Sequence, residues 1–407
     1  MNTFFLDRLN SEPHALAFAG QSTPWPVALA DQSANPALDE ALHTHAAAAQ
    51  ALLYPVSAEL LATTGRPVDL FGFEPNPARL GAAAAASASV PGIALTQLGA
   101  LLDAAALGYN PAQAKPVAVL GHSQGVLAVH MVQAICEAGS IDAAAAKIDE
   151  ILAIATLIGV AGTRQARQLG LAARHGEATP MLSVKDITRA QVDALIERVD
   201  GARGPIAVAV TNSATHYVLS GYPEDLAAFG VEVAKEHKHQ AKLREEKVRG
   251  GRVFDPTLEY LDVTLPFHSP LMEEAAEGLA AYMEGVSFSD PRIPLICNVD
   301  AAPLTAASAR EHLALQMTHP VRFVQCVRNL AEAGAGTFVE VGFGGVLMNL
   351  VKRIDIWMEV HSLLKAMGFV GQRIWELMIM PYRDFGTDVL TDNVGSISVI
   401  TIFPIIR

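Results

Sequence analysis

Residues 117–129 read Val-Ala-Val-Leu-Gly-His-Ser-Gln-Gly-Val-Leu-Ala-Val. A β-rich apolar run, Val117 to Leu120, stops at Gly121-His122-Ser123-Gln124-Gly125, and an apolar helix-compatible segment follows. This is the strand–turn–helix setting that a G-x-S-x-G nucleophile elbow needs. The serine sits on a sharp turn, so its hydroxyl stands clear of the sheet. The two glycines leave room for cramped backbone. Gln124 opens the helix, which aims its N–H at the site as an oxyanion donor. The motif is short, and alone it reads equally as a plain strand-to-helix connection. Its meaning depends on partners elsewhere in the chain.

The pattern around it is α/β. A buried strand is expected at 15–19, helices over 37–62, a loop through Phe71–Arg79, and an Ala-rich stretch that Pro91 breaks, leaving a helix from Ile93 to Ala106. The elbow strand at 115–120 leads to a helix ending near Cys136, then a long apolar helix over roughly 141–161. Strands alternating with helices imply a buried parallel sheet. Near residue 178 the character changes. The order strand, helix, strand, strand, helix, strand is the ferredoxin-like arrangement, with Asn212-Ser213 joining its middle strands. The expected organisation is a large α/β-hydrolase-like domain over 1–177 and 266–353. A ferredoxin-like subdomain is inserted at 178–265. The segment 354–407 has one alanine and nine isoleucines after an alanine-saturated chain. It lacks clean periodicity, reads as a foreign or frame-shifted tail or a linker fragment, and is assigned no function.

Composition sets limits. The chain has 407 residues, half of them apolar, with net charge −13 and a pI of about 5.4. That balance argues against general nucleic-acid binding. Three scattered cysteines (Cys136, Cys297, Cys326) and no C-x-x-C pair suit a reducing cytoplasm and no zinc site. The N-terminus lacks the basic and apolar regions of a signal peptide, and apolar runs such as Ile151–Gly162 are too short to span a bilayer. One run, 235–252, carries seven basic and three acidic side chains. It is expected to be a loop between the last helix and last strand of the insert. It reads as a solvated surface or as a landing site for an anionic partner.

A serine hydroxyl needs a base to become a nucleophile, and histidine titrates near neutrality. A histidine taken singly is a core residue as readily as a base. His268, in Leu265-Pro-Phe-His-Ser-Pro-Leu-Met272 after an apolar strand, is the candidate.

Taken in order, AFAGQ (17–21), GHSQGVLAV (121–129), TNSATHYVLSG (211–221), KVRGGRVFDP (247–256), LPFHSPLM (265–272) and EVGFGG (340–345) resemble the acyltransferase family that loads fatty acid and polyketide synthases. G-H-S-Q-G, SVPGIALTQ (89–97) and the KVRGG loop most resemble the N-terminal acetyltransferase domain of bacterial type I fatty acid synthases. The resemblance implies Ser123 as acyl acceptor and His268 as base, oriented by a backbone carbonyl in place of an acid. It implies backbone N–H groups of Gln21 and Gln124 as the oxyanion hole, His122 lining the pocket, and Asn212 near the site. Two departures are Ser22, where the family has a second glycine, and Phe343, where it has proline. The implied partners are acyl-CoA, an acyl carrier protein or domain whose phosphopantetheine thiol receives the acyl group, and other fatty acid synthase domains. No metal or redox cofactor is required.

Malonyl-specific members hold the free carboxylate with an arginine on the helix after the elbow, because a buried anion must be paired. Here that helix has no arginine before Arg164, and the corresponding position falls near Ala153. The expectation is an acetyl or other short neutral acyl group. The alternatives are a malonyl or palmitoyl transferase of the same fold, a serine hydrolase, and a non-catalytic structural domain of a megasynthase.

Overall fold

The computed structural model describes residues 3–21, 25–64, 82–171, 178–245, 254–342 and 344–354, and the backbone of three short strands beyond. Strands β1 (His14–Phe18) and β2 (Ala118–Gly121) belong to the larger sheet. Strands β3 (Met181–Lys185), β4 (Ala207–Ser213), β5 (His216–Ser220) and β6 (Thr257–Tyr260) form a separate one. The chain then returns to the larger sheet with β7 (Leu295–Ile296), β8 (Thr337–Val341) and β9 (Glu359–Ser362). The larger sheet is wholly parallel, in the order β7-β2-β1-β8-β9. Its central strands are buried along their full length, as apolar runs such as His14–Phe18 require. The smaller sheet is antiparallel, in the order β4-β5-β3-β6, the ferredoxin-like arrangement read from the sequence.

Close backbone approach, not left-handed geometry, explains the glycines of the elbow. A Cβ on Gly121 would lie 2.1 Å from the Val126 nitrogen, and one on Gly125 would lie 2.1 Å from the Phe18 carbonyl oxygen. Strand β1 and the start of the helix Val126–Ala138 therefore touch backbone to backbone. That helix ends at Gly139, whose φ of 89° supplies a left-handed cap. Ser140 then caps the helix Ile141–Gln168 by accepting from the Ala143 N–H, with Asp142 in its first turn and Arg167 in its last. This helix runs past the expected end near 161 and packs against the elbow helix.

Five expectations change. Pro91 does not break its segment: one helix runs from Ala82 to Ala106 with the proline inside. Tertiary packing outweighs the lost hydrogen bond, since Gly92 lets the Trp25 ring lie directly on this helix. The unbroken stretch Ser87–Ala106 is long and apolar enough to cross a membrane, contrary to the sequence reading. Yet 83% of that window is buried inside the protein, where it packs on the helix Ile141–Gln168. In the insert, the helix Pro223–Glu245 absorbs the first half of the basic run that was expected to be a loop. Asn212 and Ser213 end β4 and do not form the connection, which is Ala214–Thr215. Finally, β9 lies beyond residue 353, so a boundary there cuts a strand from the larger sheet. Further along the tail, β10 (Leu377–Ile379) and β11 (Ile400–Ile402) pair antiparallel. The loop 71–79, the basic residues 246–252, Ser22 and Phe343 lie outside the described residues.

The glycine contacts give a direct check. Gly125→Ala forces a methyl group into the Phe18 carbonyl and is expected to destabilise the fold by about 3 kcal/mol or more. Chemical denaturation measures it, and a loss below about 1 kcal/mol contradicts the packing described.

Candidate functional site

Ser123 lies in the three-residue turn between β2 and the elbow helix, with φ at 53°. His268 also adopts a left-handed backbone, with φ at 61°. Non-glycine residues rarely take this conformation, and surrounding structure must hold them there. For His268 the restraints are visible. Its N–H donates to the Met317 carbonyl at 2.8 Å, and the neighbouring Ser269 hydroxyl donates to the Pro266 carbonyl at 2.6 Å.

The two side chains meet. Ser123 Oγ is 2.7 Å from His268 Nε2. His268 Nδ1 is 2.9 Å from the carbonyl oxygen of His319. A carbonyl only accepts, so Nδ1 carries the proton and the Nε2 lone pair faces the serine hydroxyl. Burial is the main cause that lowers the His268 pKa to about 4. The His319 carbonyl opposes it and the nearby His122 adds to it. At neutral pH His268 is therefore an uncharged acceptor for the serine proton.

The other expected residues gather around this pair. Gly20 packs against the elbow so closely that a Cβ there would sit 2.6 Å from the His122 carbonyl oxygen and 3.4 Å from the Gln124 nitrogen. Gln21 Nε2 donates to Gln124 Oε1 at 2.5 Å, and Gln124 Nε2 donates to the Val90 carbonyl at 3.3 Å. His122 Nε2 donates to Asn212 Oδ1 at 3.2 Å, and its ring meets Phe323 edge-on at 5.1 Å between centroids. Burial holds the His122 pKa below the usual imidazole value.

Sequence reasoning did not single out three further contributors. The His319 carbonyl is one. Asn298 is another: it follows the short strand β7, is 1% exposed, and donates from Nδ2 to the Gly121 carbonyl at 2.6 Å and the Ser123 carbonyl at 3.3 Å. It holds the elbow from below. The third is the segment Val321–Phe323. Val321 exchanges backbone hydrogen bonds with Ala209 and Thr211 of β4, Arg322 N–H donates to the Asn298 carbonyl, and Phe323 packs on His122. Asn298 lies just past the carboxyl end of a parallel strand, where residues of α/β folds commonly serve ligands. That position was the one available clue.

Beside Ser123 is a narrow pocket of about 30 Å³, walled by Val90, Val126, Ile158, Phe267, Leu313 and Met317, with Gln21, Gln124 and Gln316 as polar members. The long helix contributes Ile158 to this wall, further along than Ala153. Arg164 lies at the surface, 60% exposed and paired with Glu59 at 2.8 Å. No lysine or arginine lines the pocket among the described residues. A groove of about 1310 Å³ borders His268 and His319, but Ser123 is not in its wall. Elsewhere, ligating atoms of Cys297, Asp300 and His312 fall within 4.8 Å of one another. Burial pushes the Cys297 thiol up to about 11, so it is protonated, and none of the three lines the serine pocket.

The fold and the elbow together define an α/β protein with a ferredoxin-like insert and a hydrogen-bonded serine–histidine pair. Comparison with known proteins narrows the class. The profile of the "Fatty acid synthase central AT domain" family matches residues 180–260. A malonyl CoA-acyl carrier protein transacylase of Bacillus subtilis is 41% identical over 96 residues, 23% of this chain and 30% of that protein. A polyketide-biosynthesis malonyl CoA-acyl carrier protein transacylase of Bacillus velezensis is 34% identical over 175 residues, 43% of this chain and 54% of that one. The chain thus spans about a third to a half of the length of such relatives. Among solved structures, the malonyl CoA-acyl carrier protein transacylase of Coxiella burnetii superposes with a TM-score of 0.61 at 23% identity, covering 88% of this chain and 95% of that one. A malonyl-transacylase in complex with a type II polyketide acyl-carrier protein gives 0.60 at 21%, covering 88% and 99%. The chain has the acyltransferase fold of these structures.

The lowered pKa has a defined consequence. Protonation of His268 sets in as pH falls through about 4, so the rate of any step in which this ring takes the Ser123 proton is expected to stay level from neutrality to about pH 5 and then drop. Stability moves in the same direction. The unfolded chain takes up this proton near 6.5, so burying a neutral imidazole lowers stability progressively as pH falls from there to about 4. A pH–rate profile breaking near 6.5 would show that the ring is not desolvated as described.

Proposed function

We propose that this chain is an acyl-CoA:acyl-carrier-protein S-acyltransferase that works through an acyl-Ser123 ester and takes a short neutral acyl group, acetyl above all. The observation that carries the reading is the 2.7 Å contact from Ser123 Oγ to His268 Nε2, with Nδ1 tied to a carbonyl. In the first half-reaction the Ser123 oxygen attacks the thioester carbon as its proton passes to Nε2. The backbone N–H groups of Gln21 and Gln124 receive the negative oxygen, each such donor being worth about 3–4 kcal/mol. The imidazolium formed next to that oxyanion is stabilised by it, which offsets the low resting pKa. The C–S bond then breaks, and the leaving thiolate takes the proton from Nε2. In the second half-reaction the phosphopantetheine thiol of an acyl carrier attacks the ester by the reverse path, and the serine recovers its proton. The apolar pocket disfavours water in the interval.

The acyl preference rests on the pocket wall. Ile158 lines the pocket with no lysine or arginine among the described lining residues, and a free carboxylate buried there would lack a partner among them. The volume of about 30 Å³ accepts roughly two water-sized groups, which suits acetyl. The second reading is malonyl transfer, favoured by the names of the relatives. An acyl carrier as partner follows from both readings. We further propose a role beside other fatty acid synthase domains and a cytoplasmic setting, in keeping with three buried free thiols.

Intact-mass measurement after mixing with acetyl-, malonyl- or palmitoyl-CoA separates these readings. The native protein is expected to gain one acetyl group on Ser123, which Ser123→Ala abolishes and His268→Ala slows by about 10²–10⁴-fold. Faster loading by malonyl-CoA would transfer the reading to malonyl. An adduct hydrolysed before a pantetheine thiol can take it would indicate a hydrolase. Transfer undiminished in Ser123→Ala would leave a structural role alone.

A further inference from the structure

Gln316 caps the C-terminal end of the helix Ala306–Leu315, and its backbone carbonyl faces the His268 ring. Its side chain lines the pocket shared by Ser123 and His268. The residue is 7% exposed, yet neither Oε1 nor Nε2 meets a hydrogen-bond partner among the described residues. A buried primary amide left unpaired costs free energy that neighbouring apolar side chains cannot return. An amide held in this state beside a nucleophile is set to meet a polar group of the ligand.

The substrate offers few such groups. An acetyl thioester has one polar atom at the reacting end, its carbonyl oxygen, which the mechanism assigns to the N–H groups of Gln21 and Gln124. The methyl group offers none. Moving away from the sulfur, past two methylene groups, the next polar group is the first secondary amide of the pantetheine arm. It supplies one donor and one acceptor, either of which suits a primary amide. The arm also enters the site in both half-reactions, once on CoA and once on the carrier. A contact to it therefore serves loading and unloading alike, whereas a contact to the nucleotide of CoA serves loading alone.

We propose that Gln316 binds the thioester-proximal amide of the pantetheine arm and so positions the thioester over Ser123. The proposal rests on the acyl-transfer reading above and names the part of the substrate that this residue recognises. Gln316 thereby selects pantetheine thioesters over simple alkyl thioesters of equal acyl group.

Two small probes test it: acetyl-S-N-acetylcysteamine, which carries the amide, and S-butyl thioacetate, which does not. Acylation of Ser123 is timed by intact mass. The native protein is expected to react about 10- to 100-fold faster with the amide-bearing ester. Gln316→Met, close in volume but without the amide, is expected to lose most of that preference. Equal rates for the two esters with native protein overturn the proposal without any variant. A preference that persists in Gln316→Met overturns it as well. So does a loss in that variant confined to malonyl-CoA, because the amide would then be reading the acyl group. If native protein forms no acyl-Ser123 from any CoA thioester, the acyl-transfer reading itself fails and takes this one with it.

Discussion

The carbonyl oxygen of His319 can only accept a hydrogen bond, and that single restriction sets the chemistry available at Ser123. It fixes the proton of His268 on Nδ1 and leaves the Nε2 lone pair toward the serine hydroxyl. A carboxylate in the same place would bring a charge into a buried site. The carbonyl brings a dipole that needs no counter-ion, so burial dominates and the imidazole rests neutral. In the proposed reaction such a ring gains basicity only when negative charge appears beside it, which ties its action to the moment of attack.

The carbonyl is useful only because its segment is held from several directions. Val321 pairs with β4 of the smaller sheet, Arg322 bonds the Asn298 backbone, and Phe323 packs on His122. Asn298 in turn holds the carbonyls of Gly121 and Ser123. Ser123, His268 and the junction of the two sheets thus form one connected structure. That connection accounts for two left-handed non-glycine residues in one site: strain at Ser123 and His268 persists because the surroundings leave no alternative. It also gives the ferredoxin-like insert a part in the site, through Asn212 on His122.

The pocket adds selection to this reactivity. Its wall holds no lysine or arginine among the described residues, and besides Ser123 and His268 its polar members are three glutamines. Two of them, Gln21 and Gln124, bond each other and bridge the elbow to its neighbours. The third, Gln316, stands without a protein partner among the described residues. Amides recognise by geometry at little electrostatic cost, which suits the exchange of neutral thioesters proposed for this site.

What the sequence determined by itself was local and periodic. The elbow was legible because strand, glycine, serine, glycine and helix are contiguous, and a Cβ at either glycine would lie 2.1 Å from backbone, which admits no other residue. The ferredoxin-like order was legible for the same reason, since alternation of short strands and amphipathic helices is written along the chain. His268, Gln21 and Gln124 were singled out through resemblance of short motifs, and Gln316 was not. Tertiary structure decided the rest. Pro91 remained inside a helix because the Trp25 ring and the protein core hold that helix together. The pocket-facing residue of the long helix was Ile158 and not Ala153, because counting along a helix does not fix how it is rotated against its neighbours. Asn298 and His319 act through backbone carbonyls, one bonding to them and one supplying one. Every residue type carries a carbonyl, so only the folded chain could show which one lies behind the histidine.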